Sequence, residues 1–131
     1  MRRSEVYVID TQTLLWFFTA DAKLSPRVKD LLLVAERGEF EIVIPVVVMA
    51  EALAVIEKGR SPLTIDDLLT RVQGVPSFNV AAFDMDVFQE MLSLPKELEL
   101  HDRAIAATAR LFGARVLTRD RALTQVVEAM W

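Results

Sequence analysis

Leu100-His-Asp-Arg-Ala-Ile-Ala-Ala-Thr-Ala-Arg-Leu-Phe-Gly-Ala-Arg-Val-Leu-Thr-Arg-Asp120 reads as helix, stop, strand and polar turn. From His101 to Phe112 the run is rich in alanine, the best helix former. Gly113 ends it, since glycine accepts the left-handed conformation that closes many helices. Ala114 to Leu117 is a short apolar run of strand length. Thr118-Arg-Asp-Arg121 then turns into one more short helix. Asp102 thus lies at a helix start and Asp120 just beyond a strand end.

The same alternation appears upstream. Val6 to Ile9 is a β-branched and aromatic strand ending at Asp10. Thr11 to Phe18 follows as a helix that Asp10 or Thr11 can cap. Ser25-Pro26 opens a second helix, closed by Gly38. Phe40 to Ile44 is a strand, and Pro45 starts a long helix that Gly59 closes. A helix from Ile65 to Val72, a strand at Phe78-Asn-Val80, and a helix from Asp84 to Leu92 precede the quoted stretch. Val126 to Trp131 is read as a final edge strand. Strands alternating with helices imply an α/β fold, a mainly parallel sheet of four or five strands with helices on both faces. With 131 residues and no linker or repeat, residues 1–131 are read as one domain.

Composition narrows the chemistry. There is no cysteine and one histidine, so disulfides, thiolate metal sites and multi-histidine zinc sites are excluded. No apolar run reaches the roughly 20 residues of a membrane helix. Met-Arg-Arg-Ser-Glu-Val at the N-terminus lacks the apolar segment of a signal peptide, so a cytoplasmic protein is expected. The net charge is -4, from 15 basic and 19 acidic residues, which argues against a general nucleic-acid coat. Acids gathered around divalent cations would be largely neutralised by them.

Ligand sites in open parallel sheets lie beyond the carboxyl ends of the strands, near a switch in strand order. Asp10 and Asp120 follow strands, Asp102 starts a helix, and Glu51 lies in the helix after the second strand; all four can face one sheet edge. Asp10, Asp102 and Asp120 each have an ordinary explanation as a cap, first-turn or turn acid. Glu51 stands inside the apolar run Ile44 to Ile56, where burial without a partner would be costly. Carboxylates are hard oxygen ligands suited to magnesium or manganese.

Tyr7-Val-Ile-Asp-Thr11, Pro45-Val-Val-Val-Met-Ala-Glu51, Leu100 to Ala109 and Gly113 to Asp120 together resemble the PIN-domain ribonucleases, most nearly the VapC toxins of type II toxin–antitoxin pairs. The resemblance covers essentially the whole chain. It implies a three-layer α/β/α sandwich and an acidic quartet of Asp10, Glu51, Asp102 and Asp120 that holds magnesium, with manganese a substitute. Asp10 and Asp102 would be the main direct ligands. Thr118 matches the family's hydroxyl residue and would orient a water at the metal. The implied activity is endonucleolytic hydrolysis of RNA, and the implied partners are a second copy of the chain and a small antitoxin protein.

A non-catalytic, dimeric PIN-like domain that binds RNA or protein is the alternative. A phosphatase or receiver domain using Asp10 fits poorly. Asp10-Thr-Gln-Thr13 lacks a second aspartate two positions on, and no lysine follows a late strand. His101 is read as a helix-start or packing residue. Arg103, Arg119 and Arg121 either touch phosphates or pair with nearby acids, and Lys58 and Arg60 rim a substrate groove. The apolar run Leu14-Leu-Trp-Phe-Phe18 suggests a partner surface in addition to core.

Overall fold

The computed structural model describes residues 5–131, so the N-terminal segment on which the signal-peptide reading partly rests lies outside the described residues. The elements run β1 (Glu5–Ile9), α1 (Thr11–Phe18), α2 (Pro26–Glu36), β2 (Phe40–Pro45), α3 (Val46–Glu57), α4 (Ile65–Gln73), β3 (Phe78–Ala81), α5 (Met85–Met91), α6 (Leu100–Phe112), β4 (Arg115–Leu117), α7 (Arg121–Thr124) and β5 (Ala129–Met130). Most expected elements are present within a residue or two of their expected ends. The C-terminal strand is the main correction. It is two residues long, because Val126 and Val127 close the last turn of α7 with backbone bonds to Leu123.

The five strands are all parallel, in the order β3-β2-β1-β4-β5. In a strand, neighbouring side chains point to opposite faces. Yet Tyr7, Val8 and Ile9 are all buried, as are Ile42, Val43 and Ile44. Both faces of the central strands are therefore covered, which defines three layers. No helix of the described residues is long and apolar enough to cross a membrane.

Local signals explain the helix ends. Ser25 accepts a hydrogen bond from Val28 N, with Pro26 in the first turn. Thr64 and Asp84 cap α4 and α5 in the same way. Gly113 closes α6 with φ of +60°, a conformation costly for a residue with a Cβ. Within α6, every residue from Ala104 to Ala109 is buried, so this helix is enclosed on all sides rather than laid on the surface. Its alanines fit that position: small side chains let it pack on β1, β2 and β4 and against α3 and α5 at once.

The apolar excess of α1 has a simpler cause than a partner surface. Leu14, Leu15, Phe17 and Phe18 are all in the core, and only Trp16 is half-exposed. A helix that follows the central strand β1 is packed between sheet and neighbours, and needs an apolar circumference.

Candidate active site

Strand order decides where the site lies. From β1 the chain steps outward to β2 and β3, then returns to place β4 on the other side of β1. The switch therefore falls between β1 and β4, the usual place for a ligand crevice. Ile9 pairs with Leu117 at the end of that ladder. The next residues, Asp10 and Thr118, consequently leave the sheet side by side.

Asp10 is buried and fully engaged. One carboxylate oxygen accepts from Thr13 N at 3.0 Å, capping α1. The other accepts from the Thr118 hydroxyl. Thr118 Oγ1 in turn accepts from Asp120 N at 3.0 Å, while Asp120 Oδ1 caps α7 through Ala122 N at 2.8 Å. One hydroxyl thus ties the first acid to the turn that carries the fourth. Burial pushes the Asp10 carboxyl above its usual range, against the lowering effect of the bonds from Thr118 and Thr13.

Glu51 enters from α3. Its Oε1 accepts from the Thr11 hydroxyl at 2.8 Å, and its Oε2 lies 3.5 Å from His101 Nδ1. It is not deeply buried: its side chain keeps 30% of its exposure. The cost anticipated for an acid in an apolar run is avoided because this face of α3 opens onto the crevice. Asp102 sits in the first turn of α6, where the helix dipole favours its charge. Even so its carboxyl is pushed up to about 6, first by burial and then by the negative charges of Asp120, Glu99, Glu51 and Asp10.

The neighbours of Asp102 thus include the other three sequence-selected acids, brought from distant parts of the chain. Asp10, Glu51, Asp102 and Asp120 line one cleft of about 380 Å³. Glu99 and Gln12 line it as well, and sequence reasoning missed both. Glu99 was detectable: it precedes Asp102 by three positions, which places both on one face of a helix start. His101 also lines the cleft, half-exposed, with Nδ1 3.1 Å from Glu99 Oε1.

The cations divide differently from expectation. Lys58 and Arg60 do line the cleft. Arg103 does not; its Nε donates to Leu98 O at 2.8 Å and braces the loop before α6. Arg119 turns away from the cleft and lies over the Trp16 ring, 4.5 Å from its centroid. Arg121 begins α7 and is absent from the cleft lining.

The donor set suits a small hard cation. Several carboxylates face one cleft, and none of the four sequence-selected acids is paired with a lysine or arginine among the described residues. No three His, Asp or Glu side chains among the described residues form a closed ligating cluster. Magnesium does not require one: it keeps several waters and takes one or two carboxylates together with substrate phosphate.

An all-parallel sheet with carboxylates gathered at its switch point defines an α/β class with an acidic cleft at its strand ends. Comparison with known proteins makes the class specific. The family model described as PIN domain matches residues 7–129, and the chain belongs to that family. Its fold is similar to VapBC2 from Rickettsia felis bound to a DNA fragment from their promoter, at TM-score 0.71 and 16% identity over 95% of this chain and 97% of that one. It is also similar to FitAcB from Neisseria gonorrhoeae, at TM-score 0.65 and 20% identity over 95% and 96%. A toxin–antitoxin complex from Klebsiella pneumoniae gives TM-score 0.59 and 22% identity over 87% and 86%. No curated protein matches the sequence.

Proposed function

We propose that the chain is a magnesium-dependent endoribonuclease and the toxin of a toxin–antitoxin pair, with residues 1–131 acting as one PIN unit in the cytoplasm. The observation that carries the nuclease reading is the convergence of Asp10, Glu51, Asp102 and Asp120 on one cleft. Carboxylates gathered in this way favour a shared cation. When bound, a divalent cation supplies an activated water and offsets charge on the phosphate. Asp10, after β1, and Asp102, in the first turn of α6, are assigned as its direct ligands, and manganese can replace magnesium. Glu51, held by Thr11, and Asp120, held at the head of α7, complete the acidic set. Thr118 fixes the orientation of Asp10 and of the turn bearing Asp120, and would orient a water at the metal when one is bound.

The chain supplies no covalent nucleophile to this reaction. Its residues hold charge and geometry, which suits in-line hydrolysis of a phosphodiester. Lys58 and Arg60 at the end of α3 are placed to receive phosphates flanking the cut. The toxin role and the small antitoxin rest on the toxin–antitoxin complex among the structural neighbours and on the family resemblance, and the homodimer on the family resemblance alone.

Incubation of a mixed RNA pool with and without magnesium tests the activity. Cleavage that needs the cation and disappears in Asp10→Asn and Asp102→Asn, with the fold intact, is expected. Cleavage by both variants at the parent rate would remove the site assignment. RNA binding without any cleavage by the parent would favour the non-catalytic reading. Growth arrest on expression, relieved by a small protein from the adjacent gene, tests the toxin role separately.

A further inference from the structure

The chain has one histidine, and its ring stands between two carboxylates from separate helices. His101 Nδ1 lies 3.1 Å from Oε1 of Glu99, the N-cap residue of α6, and 3.5 Å from Oε2 of Glu51, on α3. The other Glu51 oxygen accepts from the Thr11 hydroxyl, on α1, at 2.8 Å. One carboxylate thus ties three helices together. Thr11 and His101 are its side-chain partners among the described residues, and all four residues line the cleft.

Glu99 is not used as its place in the helix would suggest. An N-cap side chain ordinarily accepts from an amide of the first turn, as those of Asp10, Ser25, Thr64, Asp84 and Asp120 do. Glu99 makes no such bond. Its carboxylate meets the imidazole two residues on instead. Both partners are largely exposed, so their pairing contributes little to stability. What it fixes is direction. An ionised carboxylate can only accept, so the ring nitrogen that faces Glu99 and Glu51 must carry its proton. Without that N–H, Glu51 Oε2 loses its partner, and only Thr11 restrains a side chain with many rotamers.

We infer that Glu99 and His101 are positioning residues: Glu99 sets the imidazole, and the imidazole holds Glu51 in place in the cleft. This rests on the metal-dependent reading, and it gives His101 a role beyond the helix-start or packing one expected from sequence. Both residues act through Glu51. Groups that orient a metal-binding side chain are typically worth about 10–100-fold in metal affinity.

The first test reads the ring itself. With a single histidine, isotopically labelled full-length protein gives its ring-nitrogen NMR signals without ambiguity. In the metal-free parent at neutral pH, Nδ1 should carry a proton, and Glu99→Ala should shift the ring toward the form protonated on Nε2 alone. A parent ring already in that form overturns the proposal. The second test is magnesium binding by calorimetry, with no RNA present. His101→Ala and Glu99→Ala should each weaken it about ten-fold, while the urea midpoints of the metal-free chains stay at the parent value. His101→Asn, which keeps a donor near Nδ1, and Glu99→Gln, which keeps an acceptor and loses the charge, should retain most of the affinity. The double alanine variant should bind no more weakly than His101→Ala, since Glu99 acts through the ring. Additive losses overturn that order of action and make Glu99 an independent charge or ligand. A fall in the metal-free midpoints that matches the lost binding makes the pair structural and overturns the proposal. Unchanged affinity in both alanine variants overturns it and leaves the nuclease reading standing. Absence of magnesium binding by the parent overturns both.

Discussion

Thr118 shows how much one side chain organises. Its hydroxyl donates to buried Asp10 and accepts from the Asp120 amide. Replacing it with valine keeps the shape but leaves a buried carboxylate oxygen and an amide without partners. The expected cost is about 1–3 kcal/mol, measurable by urea unfolding, together with a large loss of cleavage. Thr118→Ser should restore most of both.

Asp102 yields a pH prediction. Its folded carboxyl titrates near 6, above the ordinary value of about 3.9. Between those values the folded chain holds a proton that the unfolded chain has released. The stability from that neutral carboxyl is full below about pH 4 and lost as pH rises through about 6. In metal-free buffer, Asp102→Asn should therefore gain melting temperature relative to the parent as pH is raised from about 4 to about 7. Added magnesium should narrow or reverse the gap. A gap that widens as pH falls would contradict repulsion at this position.

Among the elements, α6 combines structure and site. Its middle is enclosed by sheet and helices, and its first turn carries Asp102 into the cleft. Ala106 is fully buried. Ala106→Leu should cost roughly 1–3 kcal/mol by overpacking and should misplace Asp102, so stability and cleavage fall together. Gly113, at the other end, offers a contrast. A Cβ there meets nothing within 4 Å, so Gly113→Ala is disfavoured by its φ of +60° alone. A loss of about 1 kcal/mol in unfolding free energy is expected, with the cleavage rate of the folded fraction unchanged.

These elements also separate what was legible in the sequence from what was not. The strands and the acids at their ends could be read, because strand hydrophobicity, caps and glycine stops are local. Parallel topology fixes where strand ends lie and so brings Asp10 and Asp120 to one edge; that Glu51 and Asp102 join them from helices was implied by the family resemblance. The destinations of Arg103 and Arg119 were hidden, since a backbone carbonyl at Leu98 and a ring at Trp16 become their partners only after folding. The apolar run of α1 was ambiguous for the same reason: core and partner surface have one composition, and only the packing of Phe17 and Phe18 decides.

For the whole molecule, the acidic balance is reconciled by location. The formal charge of -4 would repel RNA if spread evenly. Instead Asp10, Glu51, Glu99, Asp102 and Asp120 are concentrated in the cleft, where a bound cation would offset them. Folding and cation binding should consequently be linked. Magnesium at about a hundred times its Kd adds about 2.7 kcal/mol of stability, a rise in melting temperature of roughly 10 °C for a chain of this size. A chain carrying both Asp10→Asn and Asp102→Asn should show little of that rise.

The most direct measurement is anomalous scattering from crystals of the protein grown or soaked with manganese. A peak in the cleft within coordination distance of the Asp10 and Asp102 carboxylates is the expected result. Manganese bound only elsewhere, with those two carboxylates well ordered and unligated, would contradict a shared cation at the switch point.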